Sequence, residues 1–98
     1  MKNCLQALEL QTASKSSFEV IVVNDGSADD TTKMLEEFHQ QTRLQLRVLH
    51  QQRSGPGRAR NAGINLARSN WVGLLDADVQ ASSNWVESAL NLIDANPN

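Results

Sequence analysis

The order of apolar and helical segments along this chain predicts an α/β fold built on a mainly parallel sheet. Residues 18–23 and 71–75 are nearly continuous apolar runs ended by polar or acidic residues, a pattern typical of strands covered on both faces. Residues 44–50 alternate apolar and polar side chains, which indicates a half-exposed strand. Helical patterns fill the intervals, as expected of right-handed crossover connections. The sequence therefore predicts at least three strands.

The helical patterns fall in four segments: residues 3–12, 31–41, 57–68, and a last one that starts after residue 82 or 83. Ser27 is the predicted N-cap of the second helix, and Ser82 or Ser83 that of the last, because serine side chains accept hydrogen bonds from first-turn amides. Gly63 is expected to let the third helix lie close to the sheet. The last helix is expected to stop near residues 96–97.

The chain opens with a helix, whereas a doubly wound α/β unit normally opens with a strand. We therefore expect that the first strand of the sheet is missing from this sequence. With 98 residues, the chain is expected to form one partial domain, residues 1–98, with a single core. Such a core is too small to enclose a large substrate cleft.

Composition excludes several classes of protein. The chain carries 9 basic and 11 acidic residues, a balance that argues against a nucleic-acid-binding protein. Its apolar runs are far shorter than the roughly 20 residues of a transmembrane helix. Cys4 is the single cysteine, which excludes an intrachain disulfide and a multi-cysteine metal site. We expect a cytoplasmic location for this chain, with membrane association of a longer parent protein left open.

Three acidic residues follow the apolar strands directly. Asp25 ends the first, and Asp76 and Asp78 end the last. Ligands of open α/β sheets bind beyond the carboxyl ends of the strands, and carboxylates there are suited to nucleotide hydroxyls or to a divalent cation. The residues alone leave an alternative open, since aspartates at strand ends also form turns and cap helices.

A basic segment accompanies these acids. Residues 53–68 contain four arginines, among them Arg60, and no acid, and a loop at residues 54–57 opens a helix. A loop of this kind can receive a phosphate, although a solvated basic helix face is the alternative. The P-loop and dinucleotide-binding patterns are both absent from the sequence. His39 and His50 lack the spacing of a metal site.

Taken together, three motifs in order closely resemble the family 2 glycosyltransferases. They are Phe-Glu-Val-Ile-Val-Val-Asn-Asp-Gly-Ser at residues 18–27, Gly-Pro-Gly-Arg-Ala-Arg-Asn-Ala-Gly at residues 55–63 and Leu-Leu-Asp-Ala-Asp at residues 74–78. The resemblance covers nearly the whole chain. Three ordered motifs at suitable intervals are far more specific than any one of them.

The resemblance implies a three-layer, Rossmann-like fold of the A-type glycosyltransferases. It also implies an inverting transfer from a nucleotide-sugar such as a UDP-sugar, with Mn²⁺ or Mg²⁺ as cofactor. By motif matching, Asp25 is expected to contact the base and Asp76 the ribose or a metal-bound water. Asp78, the second acid of the DXD motif, is expected to bind the metal. Arg60 is expected to contact a phosphate or to support a residue that does.

The chain also departs from the family pattern. The family's opening strand, its acceptor-binding half and its acidic general base have no counterpart here, so the resemblance assigns no catalytic base. We expect the nucleotide-sugar-binding half of a glycosyltransferase, inactive as an isolated chain. The alternative is a non-catalytic α/β module or gene remnant that associates through incomplete sheet edges, for example as a homo-oligomer.

Overall fold

The computed structural model describes residues 1–95, apart from the side chain of Asp29. Within that range helices and strands alternate up to residue 66, as an α/β fold requires, and the last helix follows the third with no strand between them. The elements are α1 Lys2–Glu9, β1 Val20–Asp25, α2 Asp29–Gln41, β2 Leu46–Gln51, α3 Pro56–Leu66 and α4 Trp85–Ala95, with a short 3-10 turn at Lys15–Ser17. The four predicted helices and the first two predicted strands are present, with bounds shifted by a few residues.

The two strands form a parallel ladder, with Val20 opposite Leu46 and Asp25 opposite Gln51. Parallel neighbours need a crossover connection, and α2 supplies it. The ladder brings the carboxyl ends of β1 and β2 to the same edge, where Asp25 and Gln51 end side by side. A pair of polar side chains therefore lies at the position where α/β sheets bind ligands.

Helices cover both faces of this ladder. A Cβ atom placed on Gly63 of α3 would lie 3.3 Å from Cγ2 of Val23, so the helix backbone approaches one face closely. Asn24 points to the opposite face, because successive strand residues alternate, and there its Nδ2 donates to Oγ1 of Thr32 in α2 at 2.9 Å. The prediction for Gly63 is confirmed, and the arrangement has three layers.

The chain divides into two compact units. The central unit comprises residues 19–72, and the terminal unit comprises residues 1–18 with the segment from Gly73 onward. Leu35, Leu44 and Leu46 are the buried apolar side chains of the central unit. The prediction of one domain over residues 1–98 stays a prediction.

Gln11, just after α1, caps the first turn of α4 within the terminal unit. Its side chain is buried, and its Oε1 accepts from the backbone N–H of Val86 at 2.9 Å. Its Nε2 donates to the carbonyl oxygens of Ser82, at 2.7 Å, and Ala7, at 3.2 Å. The predicted cap by Ser82 or Ser83 is wrong for this amide, because a glutamine distant in sequence reaches it first.

Replacing Gln11 by leucine is expected to destabilise the terminal unit by about 1 to 3 kcal/mol, because the N–H of Val86 would lose its acceptor in a buried position. Gln6, exposed on α1, offers the matched control, since Gln6→Leu removes no such contact. Urea unfolding of both variants checks the expectation. Equal midpoints for the two variants would contradict the capping role.

The strand predicted at residues 71–75 is wrong. These residues adopt no strand, and the described sheet holds β1 and β2 alone. Trp71, Val72 and Leu74 are 45%, 46% and 59% exposed. A strand forms only against a partner that satisfies its backbone groups, and no strand of the described residues pairs with this segment. The apolar run at residues 71–75 predicted buried side chains, but Trp71, Val72 and Leu74 are exposed.

Other differences are smaller. α2 begins at Asp29 with Ala28 as N-cap, so the predicted cap at Ser27 is also wrong. The N–H of Ser27 instead donates to Oδ1 of Asn24 at 3.1 Å, which ties it into the preceding turn. The predicted helix end at residues 96–97 lies outside the described residues.

Across the described part of the chain, no helix combines the length and apolarity needed to span a membrane.

Candidate functional site

Asp25, the last residue of β1, is held by three hydrogen bonds. Its Oδ1 accepts from Nε2 of Gln51 at 2.8 Å and from the backbone N–H of Ser54 at 2.8 Å. Its Oδ2 accepts from the backbone N–H of Gly55 at 3.0 Å. A carboxylate has about four acceptor positions, so one on Oδ2 stays open for a further hydrogen-bond donor. The side chain is partly exposed, which leaves that position accessible.

These contacts change the acidity of Asp25. The hydrogen bond from Gln51 is the largest cause that lowers its pKa below the ordinary aspartate value, followed by the backbone N–H of Ser54. The N–H of Gly55 and the charge of Arg53 act in the same direction. The carboxylate is therefore ionised at neutral pH and fixed as a hydrogen-bond acceptor.

A second carboxylate of the central unit behaves similarly. Oε2 of Glu19 accepts from the backbone N–H of Arg68 at 3.0 Å, and its Oε1 lies 3.2 Å from Nη1 of Arg47. The same Nη1 donates to the carbonyl oxygen of Leu66, at the end of α3, at 2.6 Å. The N–H of Arg68 and then Arg47 lower the pKa of Glu19. This cluster joins the start of β1 to the end of α3.

The central unit is expected to lose stability as the pH falls below about 4. Because the folded pKa values of Asp25 and Glu19 lie below their unfolded values, both carboxylates stabilise the fold above the ordinary values and lose this effect as the pH falls through the folded ones. Urea midpoints measured between pH 6 and 3 check this. Asp25→Asn and Glu19→Gln should each flatten part of the decline. An unchanged slope in both variants would contradict the assignment.

Two glycines shape the loops around Asp25. Gly26 has φ +73°, and a Cβ there would lie 2.9 Å from both Cβ and N of Arg53. Gly55 has φ +98° and ψ 160°, a region that only glycine adopts readily, and it is the N-cap of α3. Pro56 follows at the first helical position, where its missing N–H costs nothing. The loops after β1 and β2 therefore meet closely at the carboxyl end of the ladder.

Asn24 anchors the turn that follows β1. It is 4% exposed, and its Oδ1 accepts from the N–H of Ser27 at 3.1 Å. Its Nδ2 donates to Thr32 and also lies 3.0 Å from Nδ1 of His50 in β2. Sequence reasoning missed this role. The available signal was a polar residue at an inward position of an otherwise apolar strand.

Gln51 was also missed as a site residue. Its role follows from the register of the ladder, which places it opposite Asp25. The sequence shows both strands but not their register, because the nearly continuous apolar run of β1 offers no alternation with which the alternating residues of β2 could be aligned. Arg60, by contrast, was predicted as a site residue. It lies exposed on α3 in the same central unit as Asp25.

Asp76 and Asp78 lie in the terminal unit, so Asp25 does not share a unit with them. Both are exposed, and the N–H of Val79 donates to the carbonyl oxygen of Asp76 at 3.0 Å, which closes a turn over Asp76-Ala77-Asp78. Within residues 1–95 neither carboxylate pairs with a lysine or arginine. Two free carboxylates one residue apart are hard oxygen ligands of the type that Mg²⁺ or Mn²⁺ accepts.

The donor set at this turn also limits what kind of metal site it can form. The described residues hold no cluster of three or more His, Cys, Asp or Glu side chains able to bind a metal by themselves. Mg²⁺ usually takes one or two protein carboxylates and completes its shell with water and substrate phosphates. The pair Asp76 and Asp78 fits a cation that is shared with a phosphorylated ligand, and does not fit a closed protein site.

Comparison with known proteins identifies the family. The model of the glycosyl transferase family 2 matches residues 1–98, the full chain. The chain belongs to this family. The resemblance read from the three motifs of a family 2 glycosyltransferase is confirmed.

Individual relatives agree with this assignment. The uncharacterized glycosyltransferase EpsJ of Bacillus subtilis is 36% identical over 83 residues, which cover 85% of this chain and 23% of EpsJ. The poly(ribitol-phosphate) beta-N-acetylglucosaminyltransferase TarS of Staphylococcus aureus is 31% identical over 90 residues, 92% of this chain and 16% of TarS. This family 2 chain therefore spans about a quarter or less of the length of these relatives.

A solved structure confirms the fold class. The crystal structure of S. aureus TarS 1–349 in complex with UDP superposes with a TM-score of 0.86 at 30% identity, covering 98% of this chain and 28% of that one. The predicted Rossmann-like fold of the A-type glycosyltransferases, with a parallel sheet, is thus correct for this family 2 chain.

Proposed function

We propose that this chain binds the nucleotide-sugar of an inverting glycosyltransferase and that Asp25 receives the base. The Asp25 carboxylate carries the proposal, because three hydrogen bonds fix it at the end of β1 and leave one acceptor position open on Oδ2. The imide N–H of uracil is a donor suited to that position. The UDP bound in the TarS structure supports a uridine nucleotide as the ligand.

The diphosphate is proposed to bind with a divalent cation, Mn²⁺ or Mg²⁺. Asp78 would hold the metal, and Asp76 would contact the ribose or a metal-bound water. Their exposed, unpaired carboxylates support this role. When bound, the cation supplies stabilisation of the negative charge that develops on the departing nucleotide. Arg60, exposed on α3, is the proposed phosphate partner.

The proposal assigns binding, and not transfer, to residues 1–98. Transfer to an acceptor hydroxyl needs a general base, and none of the proposed site residues has that role. The chain spans 23% of EpsJ and 28% of the TarS structure, which leaves most of each relative outside the comparison. We propose that the isolated chain binds the nucleotide-sugar without turnover.

Calorimetric titration with UDP, with and without Mn²⁺, tests the proposal. We expect binding that strengthens when Mn²⁺ is added, and we expect Asp78→Asn to abolish the effect of the metal while leaving the weaker metal-free binding. Asp94→Asn is the matched control, since Asp94 is an exposed acid on α4 outside the proposed site. Absence of UDP binding under both conditions, or an equal loss in both variants, would refute the proposal.

A second candidate function is association through an open sheet edge. In the described part of the chain β1 pairs only with β2, and the apolar side chains of Trp71 and Val72 are exposed. Unpaired edges and exposed apolar residues promote pairing with another chain. Sedimentation velocity separates the two candidates. A concentration-dependent dimer without UDP affinity would favour this module, whereas a monomer that binds UDP would exclude it.

A further inference from the structure

The hydrogen bonds of Asn24 fix the orientation of its side-chain amide. A backbone N–H can only donate, so the atom that faces Ser27 N at 3.1 Å is the oxygen Oδ1. The amide nitrogen Nδ2 then faces Oγ1 of Thr32 at 2.9 Å and Nδ1 of His50 at 3.0 Å. Its two hydrogens serve these two acceptors. The side chain has no further donor to offer.

This orientation also fixes the state of His50. Since Nδ2 of Asn24 donates, Nδ1 of His50 must carry a lone pair, and the ring must be neutral with its hydrogen on Nε2. A second proton on Nδ1 would set an N–H group against the amide hydrogens of Asn24. Protonation of His50 is therefore incompatible with the hydrogen bond that the structure shows.

We propose that His50, acting through Asn24, is a positioning residue for the turn that carries Asp25, and that proton uptake by His50 loosens this turn and weakens nucleotide binding. Asn24 precedes Asp25 directly, and its Oδ1 holds the N–H of Ser27 on the far side of the turn. The binding part rests on the proposed function. The coupling of His50 to the turn does not, and it is measurable without any nucleotide.

Two titratable side chains of α2 lie near His50. From α2, Glu36 and His39 line the same surface depression as His50. From β1, Nδ2 of Asn24 lies 3.0 Å from Nδ1 of the ring, and Asp25 alternates to the opposite face of the strand. His50 is exposed, so a proton reaches it from solvent without any opening of the fold.

Nitrogen-15 NMR of the full chain tests the coupling first, because the sequence contains only two histidines. We expect His50 to be the Nε2–H tautomer at pH 8, and the amide signal of Ser27 to shift with the titration of His50. His39→Gln assigns the other titration and should leave this coupling intact. An Nδ1–H tautomer, or a Ser27 signal indifferent to the titration of His50, would overturn the proposal.

Matched variants then test the effect on binding. His50→Asn offers Oδ1 as an acceptor that does not titrate, whereas His50→Leu offers none. Between pH 7.5 and 5.5 we expect UDP affinity to fall about two- to tenfold more in the wild-type chain than in His50→Asn, the range of one hydrogen bond. His50→Leu should bind weakly at both pH values.

The two proposals fail in distinguishable ways. Equal pH dependence of UDP binding in the wild-type chain and His50→Asn would overturn the inference and leave the proposed function standing. Absence of UDP binding at every pH would refute the proposed function, and the NMR result would still decide whether His50 positions the turn. If His50→Asn binds UDP more tightly than the wild-type chain at pH 5.5, the result supports a positioning role for His50 and contradicts a general destabilisation of the fold by the substitution.

Discussion

Replacing Gly26 by alanine is expected to destabilise the central unit by about 2 to 4 kcal/mol, the largest effect of any single methyl group added at the site. Two independent costs combine. The backbone has φ +73°, which a residue with a Cβ adopts only at a cost of about 1 to 3 kcal/mol. The added Cβ would also lie 2.9 Å from Cβ and N of Arg53, so the loop before α3 must shift.

Two other glycines separate these costs. Gly55 has φ +98° but no atom within 4 Å of an added Cβ, so Gly55→Ala should show the conformational cost alone. Gly57 lies in α3 with no such contact and no positive φ, so Gly57→Ala should stabilise by up to about 1 kcal/mol. Urea midpoints, compared at equal m-values, should therefore rank Gly26→Ala below Gly55→Ala, and both below Gly57→Ala. A midpoint of Gly26→Ala equal to that of the wild-type chain would contradict both the conformational cost and the contact with Arg53.

Replacing Asp25 by asparagine is expected to reduce UDP affinity about tenfold to a hundredfold, the range for a hydrogen bond to a charged group. Three N–H donors face this side chain, and an amide oxygen accepts only two of them. With the oxygen toward Gln51 and Ser54, the NH₂ group occupies the place of Oδ2. The NH₂ group of the asparagine then points a hydrogen at the imide N–H of uracil, and two hydrogen-bond donors that face each other repel.

This mechanism also predicts a change of base preference. Cytosine presents an acceptor where uracil presents its imide N–H, so Asp25→Asn should narrow or reverse the preference for UDP over CDP. Gln51→Leu is the control, because it removes one hydrogen bond from Asp25 and keeps the carboxylate. It should raise the pKa of Asp25 and leave the preference for UDP intact. An unaltered preference in Asp25→Asn would show that this side chain does not contact the base.

The sequence predicts the central unit well, because each of its elements has a local signal. β1 and β2 appear as apolar or alternating runs, and Gly63 appears as a small residue at a helical position that faces the sheet. Asp25 is predicted as a site residue because it directly follows a strand. Its hydrogen-bond partners are not predicted, because Gln51 depends on strand register, and Ser54 and Gly55 contribute backbone amides that no residue type signals.

Prediction failed where structure depends on a distant partner. The apolar run at residues 71–75 meets the local requirement for a strand, but no strand pairs with it in the described residues. The first turn of α4 was expected to use a nearby serine, and it uses Gln11, 75 residues earlier than Val86. Neither outcome follows from periodicity or capping preference, since both are properties of short segments.

The terminal unit has a consequence for the order of folding during protein synthesis. Gln11 and Thr12 are translated before the central unit, but their partners from Ser82 to Glu87 are translated about 70 to 75 residues later than they are. At roughly 5 to 20 residues per second, that interval lasts about 4 to 15 s. All residues of the central unit are translated within this interval. The central unit can therefore fold before α1 contacts the later segment that completes the terminal unit.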